Sequence, residues 1–219
     1  MLVTLMATFE SIYVARPAEQ ESGDLVEWLV SNVPRRRMAV AWMQGFPWFQ
    51  VRGVTFDEIE ELVPRLSAAL GCDVIGFASQ TAVDAFLLVQ ASGGRLVRIL
   101  DFGAFGEERT WNRVEGAPQA WEAEAFWAED SLTEANEQLE DMAEYEDEAV
   151  MELNRKAIAE RTLIPGATLP FLGTLDTVHI GATIGLPGFY AEGHGDWSTP
   201  VEFKTGPPGF FSRLFTTFR

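Results

Sequence analysis

The sequence is poor in the residues that catalytic and metal-binding motifs require. It contains one cysteine, Cys72, and two histidines among 219 residues, so an internal disulfide framework is excluded. No Gly-x-Ser-x-Gly elbow, phosphate-binding loop, dinucleotide-binding glycine turn, His-Glu-x-x-His or Cys-x-x-Cys motif is present. The sequence therefore has no strong catalytic signature, and we expect Cys72 to be a small buried thiol rather than a nucleophile.

Basic residues are also scarce. Sixteen Lys and Arg residues stand against 33 Asp and Glu residues, which gives a formal net charge of −17. A protein that binds the phosphate backbone of DNA or RNA needs a basic surface, so the composition argues against nucleic-acid binding. The same charge attracts basic partners.

The first 16 residues lack the features of a targeting segment. They contain no early Lys or Arg and no small-residue cleavage site, and they include Thr4, Thr8 and Glu10. We therefore expect neither a signal peptide nor a membrane span, and a cytoplasmic location is the simplest expectation.

What is present is a predicted β-meander over residues 72–115. Ser92, Gly93 and Gly94 separate two apolar runs, and a Gly-Gly pair in that position predicts a tight hairpin turn. Before the meander, Thr55 and Glu58 form a capping box for a helix that Gly71 should end. The order of strand, helix, hairpin, helix and meander predicts an α+β fold with a mainly antiparallel sheet and packed helices.

A strongly acidic stretch follows the meander. Residues 121–152 contain thirteen Asp or Glu residues and no Lys or Arg. A capping box at Ser131 and Glu134 and a seam of three- and four-residue steps predict one long acidic helix from there to about residue 161. Such a face can simply be solvated, or it can steer and select a basic protein partner. The candidate partner-binding residues are Glu134, Glu137, Glu140, Asp141, Glu144, Asp147 and Glu148.

The composition divides the chain into three segments. Residues 1–119 form the predicted sheet domain, residues 120–164 the acidic helical segment, and residues 165–219 a Gly- and Pro-rich part packed on the same domain. In this last part residues 174–184 suggest strands, and five apolar residues between 210 and 218 form an aromatic C-terminal element.

Two short clusters invite a ligand-binding interpretation. Glu192, His194 and Asp196 occupy alternate positions, which resembles a partial metal site, although a polar glycine-rich turn is the favoured interpretation. Arg35, Arg36 and Arg37 suggest an anion site, although a solvated start of a strand is favoured. We therefore predict no cofactor and no metal.

One segment resembles known sequences. The run FGAFGEERTWNRVEGAPQAWE, residues 102–122, is similar to a motif in uncharacterised bacterial proteins, and the resemblance extends over residues 71–122. Some of those proteins are associated with toxin-immunity neighbourhoods. The resemblance brings no known active site.

These features predict a non-enzymatic protein-binding protein. The most specific form of this hypothesis is a bacterial immunity protein or inhibitor that engages a basic protein partner through its acidic surface. The alternatives are a metal-assisted enzyme that uses the loop at residues 192–196, and a structural or assembly module that uses the aromatic C-terminus.

Overall fold

An antiparallel sheet organises the chain, as the sequence predicts. The structure, a computed structural model, describes residues 8–16, 22–80, 85–103, 109–170, 174–188 and 197–205. Within them the strands are β1 (Thr8–Ala15), β2 (Arg37–Trp42), β3 (Trp48–Arg52), β4 (Asp73–Gln80), β5 (Ala85–Ser92), β6 (Arg95–Phe102), β7 (Trp111–Glu115) and β8 (Val201–Lys204). The helices are α1 (Gly23–Asn32), α2 (Phe56–Leu70), α3 (Ala120–Trp127), α4 (Glu129–Met142), α5 (Glu148–Glu160) and α6 (Thr174–Ile184). The predicted α+β class is confirmed.

The eight described strands form one sheet in the order β7-β6-β5-β4-β1-β3-β2-β8. The predicted hairpin joins β5 to β6, with Ser92 opposite Arg95, and Gly93 and Gly94 adopt the positive φ angles of 54° and 81°. β8 comes from the Gly- and Pro-rich segment and pairs with β2. The C-terminal segment therefore completes the sheet that the N-terminal segment begins.

Strand alternation gives the sheet two buried faces. On β1, Ile12 and Val14 belong to one core cluster and Tyr13 to another. The first face packs against α1 and α2, which contribute residues such as Leu29 and Ile59. The second face packs against α3, α5 and α6. Helices therefore lie on both sides of an antiparallel sheet.

Helix α2 follows its sequence signals closely. The capping box of Thr55 and Glu58 is present, and Gly71 ends the helix with a left-handed φ of 63°. Pro64 lies inside this helix, yet residues 56–70 form one helix. Burial of its apolar stripe against the sheet outweighs the missing backbone donor.

A buried ion pair attaches α3 to the second face. Arg98 donates from Nε and Nη2 to the Glu122 carboxylate at 2.9 and 2.6 Å, and both side chains are almost fully buried. Arg98 Nη1 also donates to the carbonyls of Glu115 and Gly116 at 3.2 and 2.6 Å. The buried guanidinium is thus satisfied by a carboxylate and by two carbonyls, as a buried charge requires.

Two predicted elements are wrong. The long acidic helix is two helices, α4 and α5, and Ser131 lies inside α4 rather than at its cap. Residues 174–184 form the helix α6 rather than strands. Its β-branched residues favour strands, but Ile180 is buried in the second-face core at helical spacing from Thr177 and Ile184, so tertiary packing overrides the local propensity.

Candidate protein-binding surface

The acidic stretch bends sharply between α4 and α5. The backbone amides of Tyr145 and Glu146 both donate to the Met142 carbonyl, at 3.1 and 3.0 Å, which closes the end of α4. Asp147 then has extended backbone angles and is the N-cap of α5, a position that Asp favours. We call residues 134–148 the acidic elbow.

All seven predicted partner-binding carboxylates are exposed at this elbow. They lie on the last two-thirds of α4, in the turn and at the start of α5: Glu134, Glu137, Glu140, Asp141, Glu144, Asp147 and Glu148. The bend brings Asp141 and Asp147 to the same cleft, whereas the other five do not line it. The structure thus places the predicted residues on one continuous stretch of surface.

Most of this charge is uncompensated. Glu148 pairs with Arg155 at 2.7 Å, and the hydrogen bond from Arg155 lowers the pKa of the Glu148 carboxyl. Glu134 accepts a hydrogen bond from Gln138 at 3.3 Å. Across the described parts of the chain, no ion pair reaches the other six carboxylates. The elbow therefore presents a concentrated negative potential.

A cleft of about 540 Å³ opens beside the elbow. Its base includes Met142 and Leu169, which are 8% and 1% exposed. Tyr145, which is 71% exposed, and Glu146 stand on its rim. The full lining is Arg109, Thr110, Gln138, Asp141, Met142, Tyr145, Glu146, Asp147, Val150, Thr168 and Leu169. The lining thus combines buried apolar residues with acidic residues, an exposed tyrosine and one exposed arginine, Arg109.

Asn154 fixes one wall of this cleft. It is fully buried on α5, and its Nδ2 donates to Thr168 Oγ1 at 2.8 Å. Its Oδ1 accepts from the backbone amides of Thr168 and Leu169 at 2.9 and 3.1 Å. Because one amide side chain holds both residues against α5, the wall is already formed in the unbound protein.

The sequence pattern predicted the carboxylates but missed the cleft. Tyr145 is the only aromatic residue between positions 128 and 170, and an isolated aromatic inside an acidic run is a signal that could have identified it. Thr168 and Leu169 carry no such signal, because their position depends on a contact with Asn154 across 14 residues.

The structure does not test the partial metal site or the aromatic C-terminal element. Glu192, His194 and Asp196 lie outside the described residues, as does the aromatic element at residues 210–218. Within the described residues, no group of three or more His, Cys, Asp or Glu side chains could hold a metal ion. Cys72 is half-buried, and burial, followed by the charge of Asp73, raises the pKa of its thiol, which disfavours the nucleophilic thiolate.

Comparison with known proteins assigns no family. No family model, no curated protein and no solved structure matches the chain. None of the described helices is both long enough and apolar enough to cross a membrane.

Proposed function

We propose that this protein is a non-enzymatic binding protein that engages a basic protein partner through the acidic elbow, in the manner of an inhibitor or immunity protein. The observation that carries the proposal is the combination of six exposed, unpaired carboxylates with a preformed cleft and an exposed tyrosine. A solvated helix face needs only the first of these features.

The carboxylates supply attraction and selectivity. Exposed charges on an interface rim act mainly over distance, so they raise the rate of encounter with a partner of opposite charge. They also repel acidic competitors. A basic partner is favoured further by the net charge of −17.

The cleft supplies an anchoring position. Tyrosine and arginine are enriched among the residues that dominate binding energy at interfaces. A partner arginine could place its guanidinium against the ring of Tyr145 and beside Asp141 or Asp147, with its alkyl stem on Met142. The cleft thus matches the chemistry of a long basic side chain.

Two further observations favour the inhibitor or immunity form of this proposal. The sequence carries no strong catalytic signature, and the resemblance proposed for residues 71–122 is to uncharacterised bacterial proteins, some of which are associated with toxin-immunity neighbourhoods. Arg109 and Thr110, which form part of the cleft, fall within that segment. The two alternatives, a metal-assisted enzyme and an assembly module, depend on residues outside the described part of the chain.

Substitution of Tyr145 tests the anchoring role. A partner is first isolated from source cells on the intact protein and its dissociation is then timed by surface plasmon resonance. Tyr145→Ala should speed dissociation by about tenfold, which corresponds to a typical interface anchor. Tyr145→Phe should remain close to wild type, because it keeps the ring.

The matched control is Leu96→Ala on β6, which truncates another exposed apolar residue, 49% exposed, away from the elbow. It should leave dissociation unchanged. If Tyr145→Ala behaves like Leu96→Ala, or if the isolated partner is acidic, the proposed mode of binding is wrong.

A further inference from the structure

A second charged surface lies at the β8 end of the sheet, whereas the cleft adjoins the β7 end. Strand pairing places Arg37 opposite Lys204, and Ala39 opposite both Arg52 and Glu202. Paired residues point to the same face of a sheet, so the four charged side chains surround the small side chain of Ala39. We call Arg37, Arg52 and Lys204 the basic strip.

The basic strip occupies the end of the second face that lies outside the described second-face core. Arg52 is two residues from Gln50, which pairs with Tyr13 of the second-face core, so the strip shares that face. No residue of β2 or β8 belongs to the described core cluster there, and all three cations are exposed. Around Ala39 and Gly53 the strip encloses a depression of about 590 Å³. The cations are therefore accessible from solvent.

The opposed cations of the basic strip destabilise the folded protein. Like charges directly opposite each other on neighbouring strands are destabilising, and Arg37 faces Lys204 in this way. Within the described residues no ion pair reaches any member of the strip, and Glu202 is the single carboxylate lining the depression. The adjacent Arg36, by contrast, pairs with Glu58. A chain with 33 acidic residues thus leaves three of its few cations side by side.

One member of the strip is held in place before any ligand binds. Arg52 donates from Nε to Gln50 Oε1 at 2.8 Å, and its guanidinium lies 5.0 Å from the centre of the Trp197 ring. These contacts fix the planar group while leaving its remaining donors for an acceptor. An oriented guanidinium beside two further cations is the chemistry of phosphate recognition.

We propose that the basic strip binds a phosphate dianion, either inorganic phosphate or the phosphate of a small-molecule monoester. Bound phosphate would neutralise the repulsion between Arg37 and Lys204 and would bridge β2, β3 and β8. This site is independent of the acidic elbow, so either proposal can fail without the other. The competing explanation is that edge-strand cations merely prevent β8 from pairing with another chain.

The test is an NMR titration of the full chain at constant ionic strength. Inorganic phosphate and phenyl phosphate are the two phosphate probes, and acetate is the monoanion control. Saturable shifts of the amides around Arg37, Arg52 and Lys204 are expected with one or both phosphates and not with acetate. Tighter binding of phenyl phosphate would identify the monoester as the ligand class, and equal binding would identify the free anion.

Two variants decide between binding and edge protection. Lys204→Gln should weaken phosphate binding by about tenfold, since it removes a charged hydrogen-bond donor. Lys156→Gln, an equal loss of charge on the exposed side of α5, should leave it unchanged. Without phosphate, Lys204→Gln should denature at a slightly higher temperature than wild type, because the repulsion between Arg37 and Lys204 is removed. Added phosphate should stabilise wild type more than the variant, so the difference in denaturation temperature should narrow.

Shifts that never saturate, or that persist unchanged in Lys204→Gln, would overturn the proposal. A second outcome would also overturn it: Lys204→Gln dimerises in sedimentation velocity, and its phosphate-induced amide shifts are as large as those of wild type. That outcome would show that Lys204 only protects the edge of the sheet.

Discussion

At the scale of the residue, Glu58 joins two elements through one carboxylate. Both of its oxygens accept from the guanidinium of Arg36, the residue just before β2. The same carboxylate accepts from the backbone amide and the hydroxyl of Thr55 at 2.9 and 2.8 Å, which caps α2. These bonds, led by the one from Arg36, lower the pKa of Glu58 from 4.5 to about 2.

This shift makes a pH-dependent contribution to stability. Because the folded pKa lies below the unfolded value, the contribution is fully present above pH 4.5 and is lost as pH falls towards 2. Glu58→Gln should therefore lower the free energy of unfolding at pH 7 by on the order of 2 kcal/mol. The difference from wild type should shrink steadily between pH 4.5 and 2 in urea denaturation.

Glu61→Gln is the appropriate control, since Glu61 pairs with Arg65 at the surface and is 71% exposed. It should change stability little at any pH. A Glu58→Gln deficit that stays constant as the solution is acidified would contradict the role of the ionised carboxylate.

At the scale of the element, the packing of α2 on the sheet depends on Gly76. A methyl group added at this position of β4 would lie 2.2 Å from Ile59 Cγ2 and 2.7 Å from Val63 Cγ2. Both partners are fully buried on the helix face that contacts the sheet. The missing side chain of Gly76 is therefore what allows the helix to approach this closely.

Gly76→Ala should destabilise the protein by about 1–3 kcal/mol, the typical cost of adding volume to a packed core. Chemical denaturation measures this directly. Gly23→Ala provides the comparison, because a methyl group there meets no atom within 4 Å and the residue begins α1. Equal effects of the two substitutions would mean that α2 can shift away from the sheet without cost.

Local signals explain which elements were predictable. The turn at Gly93 and Gly94 and the capping box at Thr55 act within a few residues, so the sequence pattern located β5, β6 and α2. Burial on the second face of the sheet explains the two wrong predictions, the single long acidic helix and the strands at residues 174–184. The bend between α4 and α5 lets Leu153 and Ala157 return to the sheet core, which is a long-range contact that periodicity along one helix does not report.

The sequence predicted the acidic residues of the candidate site but not its cleft, again because local patterns do not report long-range contacts. Charge is a property of composition, so the acidic residues of the elbow were evident from the sequence. The cleft is a product of tertiary structure. It needs the turn at Tyr145, the wall held by Asn154 and the residues that precede β7 to meet at one place.

At the scale of the whole molecule, the two charged surfaces lie at opposite edges of the sheet. The cleft includes Arg109 and Thr110, just before the edge strand β7, and the basic strip includes Lys204 of the edge strand β8. The acidic elbow thus lies near one edge of the sheet and the three cations of the basic strip lie at the other. This separation leaves the elbow free to attract a basic partner without competition from the strip.

The central claim is that the acidic elbow steers a basic partner towards the protein. The rate at which the partner associates with the protein tests this claim most directly. The rate is measured by stopped flow with the isolated partner at about 0.01 M and about 0.15 M ionic strength, where the screening lengths are about 30 and 8 Å. The test variant neutralises four exposed elbow carboxylates, Glu137→Gln, Glu140→Gln, Asp141→Asn and Glu144→Gln. The control variant neutralises four exposed carboxylates elsewhere, Asp24→Asn, Glu27→Gln, Asp57→Asn and Asp73→Asn.

The two variants have the same net charge, so only the position of the lost charges differs between them. We predict that the elbow variant associates about tenfold more slowly than wild type at low ionic strength, that the gap narrows at high ionic strength, and that dissociation changes less. The control variant should lose much less. Equal association rates for the two variants at low ionic strength would contradict the claim and leave the elbow as an ordinary solvated surface.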